Sequence, residues 1–197
     1  RWPTRIAFAV VLLFVIVAVF APWIAPHDPF DLASISIMDA SLPPAWLEGG
    51  DPRFLLGTDD QGRDILSGIL YGLRVSLSVS IFATLAAMAI GVVVGIYAAW
   101  AGGRTDAILM RIVDFQLSFP SILVALMLMA AFGRGLDKIV IALIIVQWAY
   151  YARTVRGSAL VERSKDYIEA AHCLAFSNPR IVFRHLMPNV LPPLIVV

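Results

Sequence analysis

Uncharged stretches alternate with polar segments along the whole chain, and several of the apolar stretches have the length of a membrane-crossing helix. Ile6 to Ala25 carries no charge over 20 residues and follows Arg1 and Arg5. As a helix it covers about 30 Å, the thickness of a hydrocarbon core. A cleaved signal peptide shares the basic start, but this run is longer than a usual signal core and further spans follow. Pro22 and Trp23 suit its far interface. Val75 to Ala101 is uncharged for 27 residues, about 40 Å as a helix, so it is expected to tilt or protrude. Phe115 to Gly133 gives 19 such residues, with Ser118-Phe119-Pro120 placing a proline in its first turns. Ile139 to Ala152 gives only 14. That is about 21 Å, short for a span unless Lys138 and Arg153 snorkel. The alternative is a re-entrant hairpin with Phe115 to Gly133. A last apolar run, Leu191 to Val197, is too short to cross, and the chain opens on Arg1 rather than Met. Both ends are therefore expected to be incomplete, with four spans and the start of a fifth present.

Two polar segments interrupt this pattern. His27 to Arg74 carries Asp28, Asp31, Asp39, Glu48, Asp51, Asp59, Asp60 and Asp64 against Arg53, Arg63 and Arg74. Its prolines 26, 29, 43, 44 and 52, with Gly49 and Gly50, exclude a continuous helix in its first part. Within it, Gly57-Thr58-Asp59-Asp60-Gln61-Gly62-Arg63-Asp64 combines two turn-forming glycines with an arginine between acids, which predicts a charged turn with a local ion-pair clamp. His27, Asp28 and Asp31 are read as solvated loop residues rather than a metal site. The second segment is Asp166 to Pro188, basic and helix-prone. Ser164 is expected to begin a short helix ending near Ala175, and Asn178-Pro179 to cap and start a second.

Composition settles the class. The chain is 60% hydrophobic and 15% charged with a mean hydropathy of +0.84, whereas soluble domains carry about 25% charge. The expected fold is an all-α integral membrane bundle: a helix with a following polar segment over residues 1–72, and a membrane domain over 73–197. The net charge of +1 gives no reason to expect nucleic acid as a partner; its distribution is more informative. With a cytoplasmic N-terminus, ten of the fifteen basic residues lie inside, while the outside holds Arg53, Arg63, Arg74, Arg134 and Lys138. That obeys the positive-inside rule. The lone Cys173 allows no internal disulfide. The chain has no GxxxxGK[ST] phosphate loop, no HExxH and no charge inside an expected span, so no catalytic residue, bound metal or buried proton relay is expected. Gly91 to Gly95 is a GxxxG that packs within the chain or against a subunit. Gln147 is expected to bond a neighbouring helix rather than substrate, Trp148, Tyr150 and Tyr151 to form an interfacial belt, and His185 to be a solvated loop histidine.

Three stretches of the chain resemble a known family. Glu169-Ala170-Ala171, then Ile181, Leu186 and Pro188, resembles the EAA loop of importer-type ABC permeases, and the GTDxxGRD run with DFQLSFPSILVAL resembles the dipeptide, oligopeptide and nickel branch, in particular its second, C-type permease subunit. The likeness covers most of the chain from Leu56 onward. It implies a type I importer domain of about six helices and a cytoplasmic coupling loop, 153–188, that docks on an ATPase. Glu169, Ala170 and Ala171 would seat that loop, while His185, Leu186 and Pro188 anchor its return. It also implies a second homologous permease, two ATPase subunits that hold ATP and Mg2+, a solute-binding protein outside the bacterial inner membrane, and contact with lipid. The family's usual glycine is Ala175 here, and since alanine resists positive φ the tight turn is expected to move to Ser177-Asn178. Within the branch the alternative cargo is nickel or glutathione. Outside it, the alternatives are an ATP-independent channel or secondary transporter, and a membrane scaffold with no transport.

Overall fold

The computed structural model describes residues 2–31 and 35–195; Arg1 and the end of the Leu191 to Val197 run fall outside them. Helix α1 spans Trp2–Ile24, α2 Ile65–Ala101, α3 Gly103–Leu117, α4 Ser121–Phe132, α5 Leu136–Arg163 and α6 Asp166–Cys173. Helix α7, Asn178–Ile181, runs through one wide π-helical turn, Val182–Leu186, into α8, Met187–Val190, and a 3₁₀ turn follows at Pro192–Ile195. Helices α1, α2 and α5 are long and apolar enough to cross a membrane, and α3 with α4 passes the same test as a pair bent by 84°. The physical reason is that hydrocarbon offers no hydrogen bonds, so a spanning backbone must satisfy its own. The expected all-helical membrane class is the observed one. The chain divides within α2 into two compact units, residues 1–79 and 80–197.

Charge proves a poor marker of helix ends. Helix α2 begins at Ile65, ten residues before the uncharged run, so Arg74 lies inside it. Helix α5 extends past both ends of its run to take in Asp137, Lys138, Arg153, Arg156 and Arg163, and at about 42 Å it is long enough to span. The opposite correction applies to Phe115 to Gly133. This is no single helix: α3 stops at Leu117, and Pro120 precedes α4 as its N-cap. The proline has no N–H to offer the preceding turn, and Ser118 closes α3 by donating its N–H and hydroxyl to the Asp114 carbonyl at 3.0 and 2.7 Å.

The core of the second unit lies where α2, α5 and α8 meet, around Ala87, Ile96, Ala99, Tyr151, Val155, Ala159, Leu186 and Val190. Close approach depends on Gly91 and Gly95. A Cβ on Gly91 would stand 2.4 Å from the Tyr151 Cβ, and one on Gly95 2.6 Å from the Ala152 carbonyl oxygen. The GxxxG therefore packs inside the chain. Helix α3 is tied to α5 by Val113 against Ala149 and Ala152, and by a two-pronged Arg156–Asp106 pair at 2.6 and 3.0 Å. Arg153 pairs with Asp114 beside it. Gln116 adds a further bond between these helices, its Nε2 donating to the Ile145 carbonyl at 3.2 Å; Gln147, expected to bond a neighbouring helix, makes no such bond among the described residues. The aromatic belt is also reduced: Tyr151 is buried in the core, Trp148 packs on it, and Tyr150 stays exposed.

Candidate functional site

The segment from Ser164 to Val190 is a small folded body. Helix α6 starts after Lys165, and Ser164 lies at the end of α5. Ile168 and Ala171 on α6 are buried against Ile181 of α7, with Phe176 and Trp100 packed on them. The two helices are joined by a turn in which Ala175 itself adopts φ +54°. The Ala175 N–H donates to the His172 carbonyl at 2.9 Å and the Phe176 N–H to the Ala171 carbonyl at 3.2 Å. This paired 5→2 and 6→1 pattern is a Schellman motif, which requires a left-handed residue at that place. The turn thus stays at 175 in spite of the side chain, rather than moving to Ser177-Asn178. Ser177, in extended backbone, occupies the cap position of α7, and Asn178 is its first residue; neither makes the expected side-chain cap.

The motif residues divide by exposure. Glu169, Ala170, Ala175 and Pro188 are exposed, while Ala171, Ile181 and Leu186 are buried. His185 is half-buried instead of solvated: its ring stacks on Phe176 at 5.8 Å, and its Nε2 is buried without a hydrogen bond. The Arg180 guanidinium lies 4.2 Å from the same Phe176 ring. Tyr167 donates to Glu162 Oε2 at 2.7 Å and accepts from Asn189 Nδ2 at 3.3 Å; that amide also donates to the His185 carbonyl at 2.7 Å. These bonds link the end of α5, α6 and the return segment. Partial burial, then the neighbouring Glu162 carboxylate, push the Tyr167 phenol up from its ordinary value, so it remains a donor at neutral pH. Arg163, at the last position of α5, donates Nη1 to the Ala99 carbonyl at 2.6 Å and the Trp100 carbonyl at 3.2 Å. It caps the exposed carbonyl end of α2, where a cation is favoured. Sequence reasoning missed Arg163, Trp100, Tyr167 and Asn189. An arginine at a helix end and a tryptophan closing an uncharged run were the only signals, and both also fit an ordinary membrane interface.

The 57–64 run, in the first unit, is a turn built from backbone. Asp59 Oδ1 accepts from the Gln61 and Arg63 N–H groups at 2.9 and 2.8 Å, and the Asp59 and Arg63 backbones are bonded at 3.0 Å. Thr58 is buried; its hydroxyl donates to the Asp39 carbonyl and accepts from the Leu42 N–H at 2.9 Å. Asp64 is also buried and caps α2, with its Oδ2 taking the Ser67 N–H at 3.1 Å and the Ser67 hydroxyl at 2.5 Å. Gly57 and Gly62 have φ of +81° and +79°, and a Cβ on either would strike the Leu42 or Ser36 carbonyl oxygen at 2.3 or 2.1 Å. The expected clamp is therefore not ionic: Arg63 forms no ion pair among the described residues, and its Nε is buried unbonded. The nearby ion pairs belong to Arg53, which holds Asp39 at 3.1 Å and Asp51 at 2.8 Å; that guanidinium keeps the Asp51 carboxyl below its usual value. His27 turns to Asp64, 3.5 Å away, and to the Phe54 ring.

Residues 5–44 match the N-terminal TM domain of oligopeptide transport permease C. The chain is 39% identical over 186 residues to the di/tripeptide transport system permease protein DppC of Pseudomonas aeruginosa, covering 94% of this chain and 60% of that protein. It is 42% identical over 192 residues to the dipeptide transport system permease protein DppC of Escherichia coli, covering 97% of this chain and 62% of that protein. It thus spans about three-fifths of the length of these relatives. Residues 91–197, more than half of the chain, match the family described as binding-protein-dependent transport system inner membrane component, and the protein, a multi-pass membrane protein, belongs to that family.

Proposed function

We propose that this chain forms half of the translocation pathway of an ATP-driven importer for dipeptides or short oligopeptides, with the 164–190 segment as its coupling loop. The observation that carries the reading is the construction of that segment. It has its own apolar core, Trp100 at the end of α2 packs on that core, and it presents Glu169 and Ala170 to solvent. Such a body moves as a unit when pushed, because a packed core does not absorb small displacements. Glu169 and Ala170 seat it on a partner surface. Ala171, Ile181 and Leu186 keep its shape, while His185 and Pro188 set the return to the membrane.

The peptide cargo is supported by the names of the relatives, which are dipeptide and di/tripeptide permeases. The reading requires a second homologous permease, two ATPase subunits that bind ATP with Mg2+, and a solute-binding protein outside the inner membrane. The N-terminus and the loop are then cytoplasmic. No residue of this chain takes part in hydrolysis. Closure of the ATPase pair would push both coupling loops and turn the pathway from inward-facing to outward-facing. The Glu169→Lys variant tests it: ATPase co-purification and dipeptide uptake should both fall while the yield of folded permease holds. Wild-type uptake by that variant would refute the assignment.

A further inference from the structure

The loop is continuous in the chain with α5, through Ser164 and Lys165, and with α8, through the π-helical turn. Its attachment to α2 is different, since it is made by side chains alone. The apolar core of the loop comprises Ile168, Ala171 and Ile181, with Phe176 and Trp100 packed on it, and Trp100 comes from outside the loop. The same indole packs on the membrane core formed by Ile96, Ala99, Tyr151 and Val155. Leu186 and Val190, on the return of the loop, also reach this membrane core, but among the described residues Trp100 alone packs on both it and the α6–α7 core. The ring is held from two more directions: the His172 imidazole of α6 stacks on it at 5.8 Å and 21°, and the Arg163 guanidinium stands 5.9 Å from its centroid. Arg163 simultaneously caps the Ala99 and Trp100 carbonyls. Beyond this joint the chain turns at Gly102 and Gly103, both at positive φ, directly into α3, so the α2 axis ends at the joint.

We propose that Trp100 is a positioning residue for transport: it carries displacement of the α6–α7 body into α2, and Arg163, the last residue of α5, holds the end of α2 in place beside it. This rests on reading the 164–190 segment as a coupling loop. Within the second unit α2 covers residues 80–101, about 33 Å. A shift at its Trp100 end is therefore delivered across a hydrocarbon core of about 30 Å, whereas α5 is moved through the backbone whatever residue stands at 100. Loss of the indole should leave partner docking and ATP hydrolysis in place and weaken the transfer of movement to α2, which then rests on Leu186 and Val190.

The test uses the full-length permease with its partner subunits, purified and reconstituted in proteoliposomes, and reads radiolabelled dipeptide uptake per ATP hydrolysed. In Trp100→Leu this ratio is expected to fall about tenfold, within the range seen when packing between two coupled sites is cut, with ATPase co-purification unchanged. Trp100→Phe, which keeps an aromatic face for His172 and Arg163, is expected to recover most of the ratio, and Arg163→Gln to lower it with the indole intact. If Trp100→Leu does not assemble, the comparison of Trp100→Phe with Arg163→Gln decides on the same ratio. A wild-type ratio in every variant that assembles overturns the assignment of Trp100 while the importer reading stands. A wild-type chain that brings down no ATPase and takes up no dipeptide overturns both.

Discussion

Ala175 holds the left-handed place in the turn between α6 and α7, where an L-residue with a Cβ costs about 1–2 kcal/mol relative to glycine. Ala175→Gly should therefore stabilise the permease by about 1 kcal/mol, seen as a higher thermal midpoint of the protein in detergent. An unchanged or lower midpoint would show that the turn relaxes out of that conformation once the Cβ is gone. Asp64 offers a case of the opposite sign. Asp64→Ala removes the cap of α2 and leaves the buried Ser67 hydroxyl, which still accepts from the His27 N–H, without an acceptor for its own proton, at a cost of about 1–3 kcal/mol. Asp64→Asn, which keeps an acceptor oxygen, should lose less, and the two midpoints measured side by side check the order. At this scale the sequence shows which letters matter but not what they touch. Thr58 and Gly62 meet Asp39 and Ser36, about twenty or more positions upstream, and neither partner belongs to any recognisable motif.

Along single elements, glycine has two different meanings within α2. Gly68 has open space where a Cβ would go, while the site at Gly95 is filled by the Ala152 carbonyl and Val155. Gly68→Ala should thus be neutral or stabilise by up to about 1 kcal/mol through helix propensity. Gly95→Ala should force α2 off α5 and sharply reduce the yield of monodisperse protein in size-exclusion chromatography. Equal yields would remove the close α2–α5 contact. The uncharged runs located α1, α2 and α5, because burial in lipid selects for apolar side chains. Their ends were not legible. A charged side chain does not stop a helix whose backbone bonds are intact, so Arg74, Arg153 and Arg156 sit inside helices. Pro120 did mark a true break, but in a membrane helix a proline is also compatible with a mere kink, and only the bend between α3 and α4 separates the two.

For the molecule as a whole, orientation is the property on which the coupling proposal depends. Asp60 is exposed beside the structural Asp59, so a cysteine at 60 should react with an impermeant thiol reagent added to intact cells, while the exposed Cys173 should react only after the membrane is opened. The reverse pattern would invert the topology and put the 164–190 segment out of reach of any ATPase. Membrane class and loop position follow from composition and the spacing of polar segments. The joint at Trp100 does not, because it is formed by residues more than sixty positions apart. The turn at 57–64 bears on a different question. Thr58, Asp59 and Asp64 direct their polar atoms to neighbouring main-chain groups and to Ser67, and the two glycines make room for carbonyl oxygens. Those side chains are engaged in holding the turn itself. A substitution in this stretch is therefore expected to act on folding before it acts on the choice of cargo.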